Sequence, residues 1–322
     1  MIHLPRRSLL GAGLAAPLVA RAQGAWPERP IRWIVNFPPG GAADILSRAL
    51  AEQIGGSLGQ PIVVENRPGA GGMVGSDLVA KARGDAHIVM MSNAASHGIG
   101  PVLYRSVPYD PLCDFVHVAL VGNFPSVLCV GPAVPARTLA EFVALAKAQG
   151  GLNYGSGGNG TMNHLTGQLF ARAAGITLTH VPYRGSAPAM ADVMGGQIPA
   201  LMESLPTAMG NIRGGRLRPL ASSEAKADPA LPEVPSFAEA GFPAVQSTNW
   251  FGFSTAAGIP DAVVARWRQV ITAALAAPAL RERFATIGVR PGSMGPDEYT
   301  ALIGAELDRW REVIRSAGIT VD

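Results

Sequence analysis

The chain has 322 residues, with 26 Lys+Arg against 23 Asp+Glu, a formal net charge of +3 and 48 % hydrophobic residues. Three of the basic residues, Arg6, Arg7 and Arg21, fall within the first 22 positions beside no acidic one, so residues 23–322 carry 23 charges of each sign. A neutral remainder excludes a basic nucleic-acid-binding surface, and its length suffices for two α/β lobes, each with its own core.

Residues 1–22 read as an export signal: a basic start at Arg6-Arg7, an apolar stretch from Leu9 to Ala20, and the small-x-small site Ala20-Arg21-Ala22. The apolar stretch is too short to cross a bilayer. The arginine pair ahead of Ser8-Leu9-Leu10 resembles a twin-arginine signal, with an ordinary secretory signal as the alternative. Cleavage after Ala22 would place the protein in a bacterial periplasm. No later stretch has the length and apolarity of a membrane helix. Of the two cysteines, Cys113 falls in a Pro-rich loop and Cys129 in an apolar strand, and two unpaired thiols are expected.

Strand and helix patterns alternate almost throughout, which predicts an α/β fold with mixed, mostly parallel sheets. "IRWIVNF" (31–37) is a strand, and "ADILSRALAEQIGG" is a helix with Leu46, Leu50 and Ile54 on one stripe. "PIVVENR", a glycine-rich turn, a helix over 73–82 and the strand "HIVMMS" (87–92) follow. "VHVALVG" and "SVLCVGP" read as two strands separated by Asn123-Phe124-Pro125. A second series then runs helix 138–149, strand 152–155, helix 161–174, strand 177–182, helix 186–195, strand 198–203, helix 206–213, strand 217–222. After a Pro-rich acidic loop come the strand "WFGFST" and three helices, the last with Leu307, Trp310 and Ile314 in a stripe that reads as core packing. Segments near 122–126 and 244–249 are placed to cross twice between two lobes, residues 26–123 with 247–322 and residues 124–246, as in a hinged clamshell. Ligands of open α/β sheets bind at the carboxyl ends of strands, so a cleft between the lobes would gather several strand-to-helix loops.

Four such loops are rich in glycine or small polar residues: "NFPPGGAAD" (36–44), "ENRPGAGGMVGSD" (65–77), "YGSGGNGTMNH" (154–164) and "HVPYRGSAPAMADVMGG" (180–196). A glycine loop opening a helix offers backbone N–H groups and a positive dipole end to an anion. Gly155, Gly157 and Gly160 fit G-x-G-x-x-G, but the next strand ends in Tyr183-Arg184 where a ribose-binding acid would stand. An NAD(P)-binding enzyme is kept as a remote alternative, since Arg184 would suit a 2′-phosphate. No metal-ligand spacing occurs and no carboxylate pair with acid/base spacing stands out, so no catalytic residue, metal or cofactor is expected. Asp44 in the first turn of its helix reads as a dipole-complementing acid. His164 reads as cleft-facing, or as capping or packing.

Six spaced segments, "WPERPIRWIVNFPPGGAAD", "VVENRPGAGG", "PYDP" with "DF", "YGSGGNGTMNHLTGQLF", "HVPYRGSAPAMADVMGGQI" and "GGRLRPLA", follow in order from about Trp26 onward. Together they resemble the Bug-type periplasmic substrate-binding proteins, receptors of tripartite tricarboxylate transporters. The resemblance implies a type II-like two-lobed binding-protein fold in which N–H groups and small hydroxyls, not arginine clamps, hold a small organic carboxylate. Carried over, the first-lobe cradle is Phe37, Pro39, Gly40, Gly41 and Asp44 with Gly71, Gly72, Ser92, Asn93 and Ser96. The second lobe supplies Asn159, Thr161 and His164, while Tyr183, Arg184 and Gly185 close the other end and Glu203 stands where many relatives have Asp. Arg184 reads equally as a surface charge. Ala43 replaces a common Ser or Thr, and "KARGDAHIV" departs from the family pattern. The implied partners are the carboxylate and a membrane permease, or alternatively a membrane sensor kinase, with the protein a monomer. The 6 % aromatic content leaves the ligand aliphatic or aromatic, since Phe37 or Trp250 could stack on a ring.

Overall fold

The structure is a computed structural model that describes residues 26–320, so the export signal of residues 1–22 lies outside the described residues. Its strands are β1 (Ile31–Val35), β2 (Ile62–Asn66), β3 (Ile88–Asn93), β4 (Phe115–Val130), β5 (Leu152–Ser156), β6 (Leu178–Pro182), β7 (Ala200–Ser204), β8 (Arg218–Ser222), β9 (Thr248–Ala256) and β10 (Arg290–Pro291). The helices are α1 (Ala42–Ile54), α2 (Met73–Lys81), α3 (Gly100–Leu103), α4 (Leu139–Ala148), α5 (Met162–Ala174), α6 (Ser186–Met194), α7 (Leu205–Arg213), α8 (Asp261–Ala276), α9 (Pro278–Thr286) and α10 (Pro296–Ala317). The strand order is β2-β1-β3-β9-β4-β7-β5-β6, with β8 and β10 also paired to β4.

Two parallel three-strand units give the two lobes: β1 pairs with β2 and β3, and β5 pairs with β6 and β7. Between them, β9 and the long β4 run antiparallel to their neighbours. β4 is the physical link. Its residues 115–125 pair with β9, and residues 126–130 with β7 and β8. The two strands expected on either side of residues 123–125 are thus one 16-residue strand. Pro125 has no N–H to donate, and it sits where β4 exchanges one set of partners for the other. Register shifts at 117/119 and 120/122 bend β4 as it approaches that point.

Each unit has its own core. On the first, Trp33 meets Phe253 edge-on at 5.0 Å, and Phe253 packs on Trp267 at 4.6 Å, all three fully buried. On the second, Phe170 joins Phe142 and Phe237 beneath Tyr154. The stripe of α10 is buried as expected: Leu307, Trp310 and Ile314 pack in one cluster with Trp250 and with Met162 and Leu165 of α5. Both cysteines are unpaired, Cys113 exposed and Cys129 buried. Among the described residues no helix is long and apolar enough to cross a membrane.

Candidate functional site

A small cavity of about 60 Å³ lies between the two units, below the usual range of about 300–1,000 Å³ for ligand sites. Its walls are helix starts. Gly41, Asn93, Thr161, Gly185 and Ser204 line it, and they are the N-caps of α1, of the helical turn Ala94–Ile99, of α5, of α6 and of α7. These five segments follow β1, β3, β5, β6 and β7, so the cavity collects the carboxyl ends of both parallel units. The N–H groups in a helix's first turn have no partner inside the helix, and the dipole end beside them favours negative charge. Ala42 and Ala43 at the start of α1, and Ala94 and Ala95 at the start of the Ala94–Ile99 turn, also line the cavity with methyl side chains.

The loops are held rigidly from behind. Asn36 at the end of β1 donates to Ser76 Oγ at 3.1 Å and Ser96 Oγ at 2.9 Å, and its Oδ1 accepts from Asn93 Nδ2 at 2.8 Å. Asn93 Oδ1 accepts the N–H of Ser96 at 3.1 Å, capping the turn. Asp44 accepts the Gly40 N–H at 3.0 Å, Arg48 Nε at 3.0 Å and Asn66 Nδ2 at 3.0 Å, while the same Asn66 amide donates to the Phe37 carbonyl. Burial alone would raise the Asp44 carboxyl, but those hydrogen bonds outweigh it and hold it below its usual value. In α5, Thr161 Oγ1 donates to the Gly158 carbonyl at 2.8 Å and accepts the His164 N–H at 3.2 Å.

A polar chain crosses the floor through β4. Asn249 Nδ2 of β9 donates to Ser126 Oγ at 3.0 Å, and Ser126 donates to Asn163 Oδ1 at 2.7 Å. Asn163 Nδ2 donates to Glu203 Oε1 at 3.1 Å, which also accepts the Ser204 N–H at 2.8 Å. Glu203 lines the cavity and is 1 % exposed. Burial pushes its carboxyl up to about 7, against the pull of hydrogen bonds from Ser204, Ser186 and Asn163.

A second, outer cavity of about 620 Å³ adjoins the first and shares Phe37, Pro38, Gly157, Thr161 and Gly185 with it. The two units touch across this opening. Tyr104 Oη donates to the Asn159 carbonyl at 3.2 Å. Pro38 crowds Gly185 so closely that a Cβ there would sit 2.8 Å from Pro38 Cγ.

The sequence-predicted site residues divide by location. Phe37, Gly41, Asn93, Thr161, Gly185 and Glu203 line the inner cavity, and Gly71, Gly72, Asn159, Tyr183 and Arg184 line the outer one. Pro39, Gly40, Asp44, Ser92, Ser96 and His164 line neither. Pro39 and Gly40 lie exposed on the loop, and Asp44 is occupied in shaping that loop. Ser92 is bonded to Ser254, Tyr299 and the Gly252 carbonyl inside the sheet, and Ser96 to Asn36 and His97 behind the turn. His164 is buried against the ring of His180 at 4.0 Å, and its Nδ1 accepts the Gly160 N–H at 3.3 Å. Burial lowers these two imidazoles to about 4 and about 3.

Sequence reasoning passed over Asn163, Ser186, Ser204, Asn249 and Phe251, all in the inner wall. Ser204 carried a readable signal, since Ser before Leu-Pro marks a helix start. Phe251, not Trp250, supplies the aromatic wall. Alternation along β9 turns Asn249 and Phe251 inward and sends Trp250 toward α10, where its Nε1 donates to Glu306 Oε2 at 3.2 Å.

Comparison with known proteins agrees with this architecture. The profile of the tripartite tricarboxylate transporter family receptor matches residues 46–319. Protein BugT of Bordetella pertussis is 37 % identical over 309 residues, covering 95 % of this chain and 94 % of that protein. The structure of R. palustris Rpa4515 with adipate superposes with a TM-score of 0.89 at 31 % identity, covering 92 % of this chain and 99 % of that one. MatC from Rhodopseudomonas palustris with bound malate gives 0.84 at 29 % identity, covering 90 % and 100 %. With a two-lobed Bug-type fold, a cavity walled by helix N-caps and a profile match over most of its length, the chain belongs to the tripartite tricarboxylate transporter receptor family.

Proposed function

We propose that this protein is a periplasmic solute receptor, without catalytic activity, that binds a small organic carboxylate between its lobes and delivers it to a tripartite membrane transporter. On this reading residues 26–123 with 247–322 form one lobe and 124–246 the other, and export removes residues 1–22. The observation that carries it is the convergence of five helix N-caps on one interlobe cavity that contains no cationic side chain among its described lining residues. Such a site holds an anion through N–H groups and dipoles alone. Relatives solved with adipate and malate support the same class of ligand.

The carboxylate would lie against the N–H groups at the starts of α1, α5 and α6, with Phe37 and Phe251 as apolar walls. Charge-assisted hydrogen bonds contribute about 1.5–3 kcal/mol each. Three or four of them, less ordering and desolvation, reach the roughly −8 kcal/mol of micromolar binding. Ligand that touches both lobes favours the closed form by its differential affinity. The test is thermal unfolding against mono-, di-, tri- and aromatic carboxylates with NAD and NADP alongside. A ligand at 100 times its dissociation constant adds about 2.7 kcal/mol. A shift confined to carboxylates is expected, and a shift confined to a dinucleotide would overturn the proposal.

A further inference from the structure

Glu203 alone is ionisable among the described residues that line the inner cavity. Its two oxygens are in different situations. Oε1 is committed to Asn163 Nδ2 and the Ser204 N–H, at 3.1 and 2.8 Å. Oε2 is buried and makes no hydrogen bond of ordinary geometry among the described residues, and the Ser186 hydroxyl is the other donor near the carboxyl. A buried carboxylate oxygen without a donor forfeits a strong hydrogen bond, and low local polarity raises the stakes. The cavity therefore presents two complementary needs. The helix starts offer donors to an anion, while Glu203 Oε2 asks for a donor in return. While Glu203 is ionised, a plain carboxylate has acceptors only and meets the first need but not the second.

We propose that the ligand is a carboxylate that also carries a hydrogen-bond donor, most simply a hydroxyl, which Glu203 Oε2 accepts. This inference rests on the carboxylate-receptor reading and narrows it. Glu203 then acts as a specificity-determining residue that rejects acids of the same shape lacking the donor. A site built to hydrogen-bond a hydroxyl discriminates well against the analogue without it, because the buried partner is left unsatisfied. The committed Oε1 also fixes what glutamine would do at this position. In Glu203→Gln the amide oxygen takes the two donors from Asn163 and Ser204, which puts the –NH2 in the place of Oε2. The substitution converts an acceptor into a donor at one point and leaves the rest of the wall in place.

Calorimetric binding to the purified protein tests this with probes matched in skeleton: succinate, 2-hydroxysuccinate and 2-methoxysuccinate, with parallel sets built on propionate, glutarate, adipate and benzoate. In the set that fits, the hydroxy acid is expected to bind at least about tenfold more tightly than both the parent acid and the methyl ether. In folded Glu203→Gln that ratio should fall to about one or invert. If the variant does not fold, the wild-type ratios decide. A parent acid or ether that binds as well as the hydroxy acid, or a ratio that persists in the folded variant, overturns the donor requirement and leaves the carboxylate reading intact. Failure of every acid to bind overturns both.

Discussion

Gly185 offers a test of whether ligand binding uses the closed geometry. It is the N-cap of α6, with φ +111° and ψ 172°, a conformation essentially restricted to glycine. Gly185→Ala therefore carries about 1–3 kcal/mol of backbone strain in any state of the protein. The added Cβ would also stand 2.8 Å from Pro38 Cγ across the cleft, well inside the ~3.5–4.0 Å of ordinary carbon contact. That overpacking, about 1–3 kcal/mol, falls only on the form in which the lobes meet. Affinity for the best carboxylate should drop by roughly tenfold to a hundredfold. Gly175→Ala is the control: at the αL C-cap of α5, with φ +59°, its Cβ would meet nothing within 4 Å. It should cost about 1 kcal/mol of stability and leave binding unchanged. Calorimetry and thermal unfolding on the two variants separate the effects. If Gly185→Ala binds within about twofold of wild type while its melting point falls, the Pro38–Gly185 approach does not belong to the bound state and the reasoning fails.

Asp44→Ala should lower stability by about 2–3 kcal/mol through loss of three hydrogen bonds to a charged acceptor, and loosen the Phe37 loop so that ligand affinity falls with it; urea unfolding and calorimetry read both. Because the folded Asp44 carboxyl lies below its usual value, its stabilisation is present above that usual value and is lost as pH falls through the folded one. Burial holds His117 and His164 at about 4 and His180 at about 3, below the free value of 6.5. The unfolded chain thus binds protons first, and stability should decline as pH drops from about 6.5 toward 4, by at most ~1.4 kcal/mol per pH unit for each fully buried imidazole. Melting curves over that range check this, and a flat profile would refute the neutral, buried assignment. Asn249→Ala removes the bond to Ser126 Oγ at the point where β4 changes partners and should cost about 1–2 kcal/mol in denaturant unfolding.

Much of this protein is written locally. Strand, glycine loop and helix recur because apolar period, capping residues and glycine positions act within a few residues, so α5 with its Thr161 cap and the buried stripe of α10 were legible without coordinates. The glycine loops were legible as helix starts for the same reason: unpaired N–H groups there are a property of the backbone. What the chain could not reveal alone is which side of each loop faces the cavity. Asp44 and Ser92 have the chemistry of ligand contacts, yet neighbours distant in sequence, Asn66 for one and Ser254 with Tyr299 for the other, claim their polar atoms. The strand break expected at residues 123–125 is absent because β4 finds partners in both units, and pairing between segments far apart outweighs a local proline. The choice of Phe251 over Trp250 turns on one residue of strand parity, which is fixed only when β9 is seated between β3 and β4. Glu203 is the plainest case. The sequence supplies an acid on a strand, but only the packed fold buries it in the cavity wall, engages one oxygen and leaves the other without a partner among the described residues.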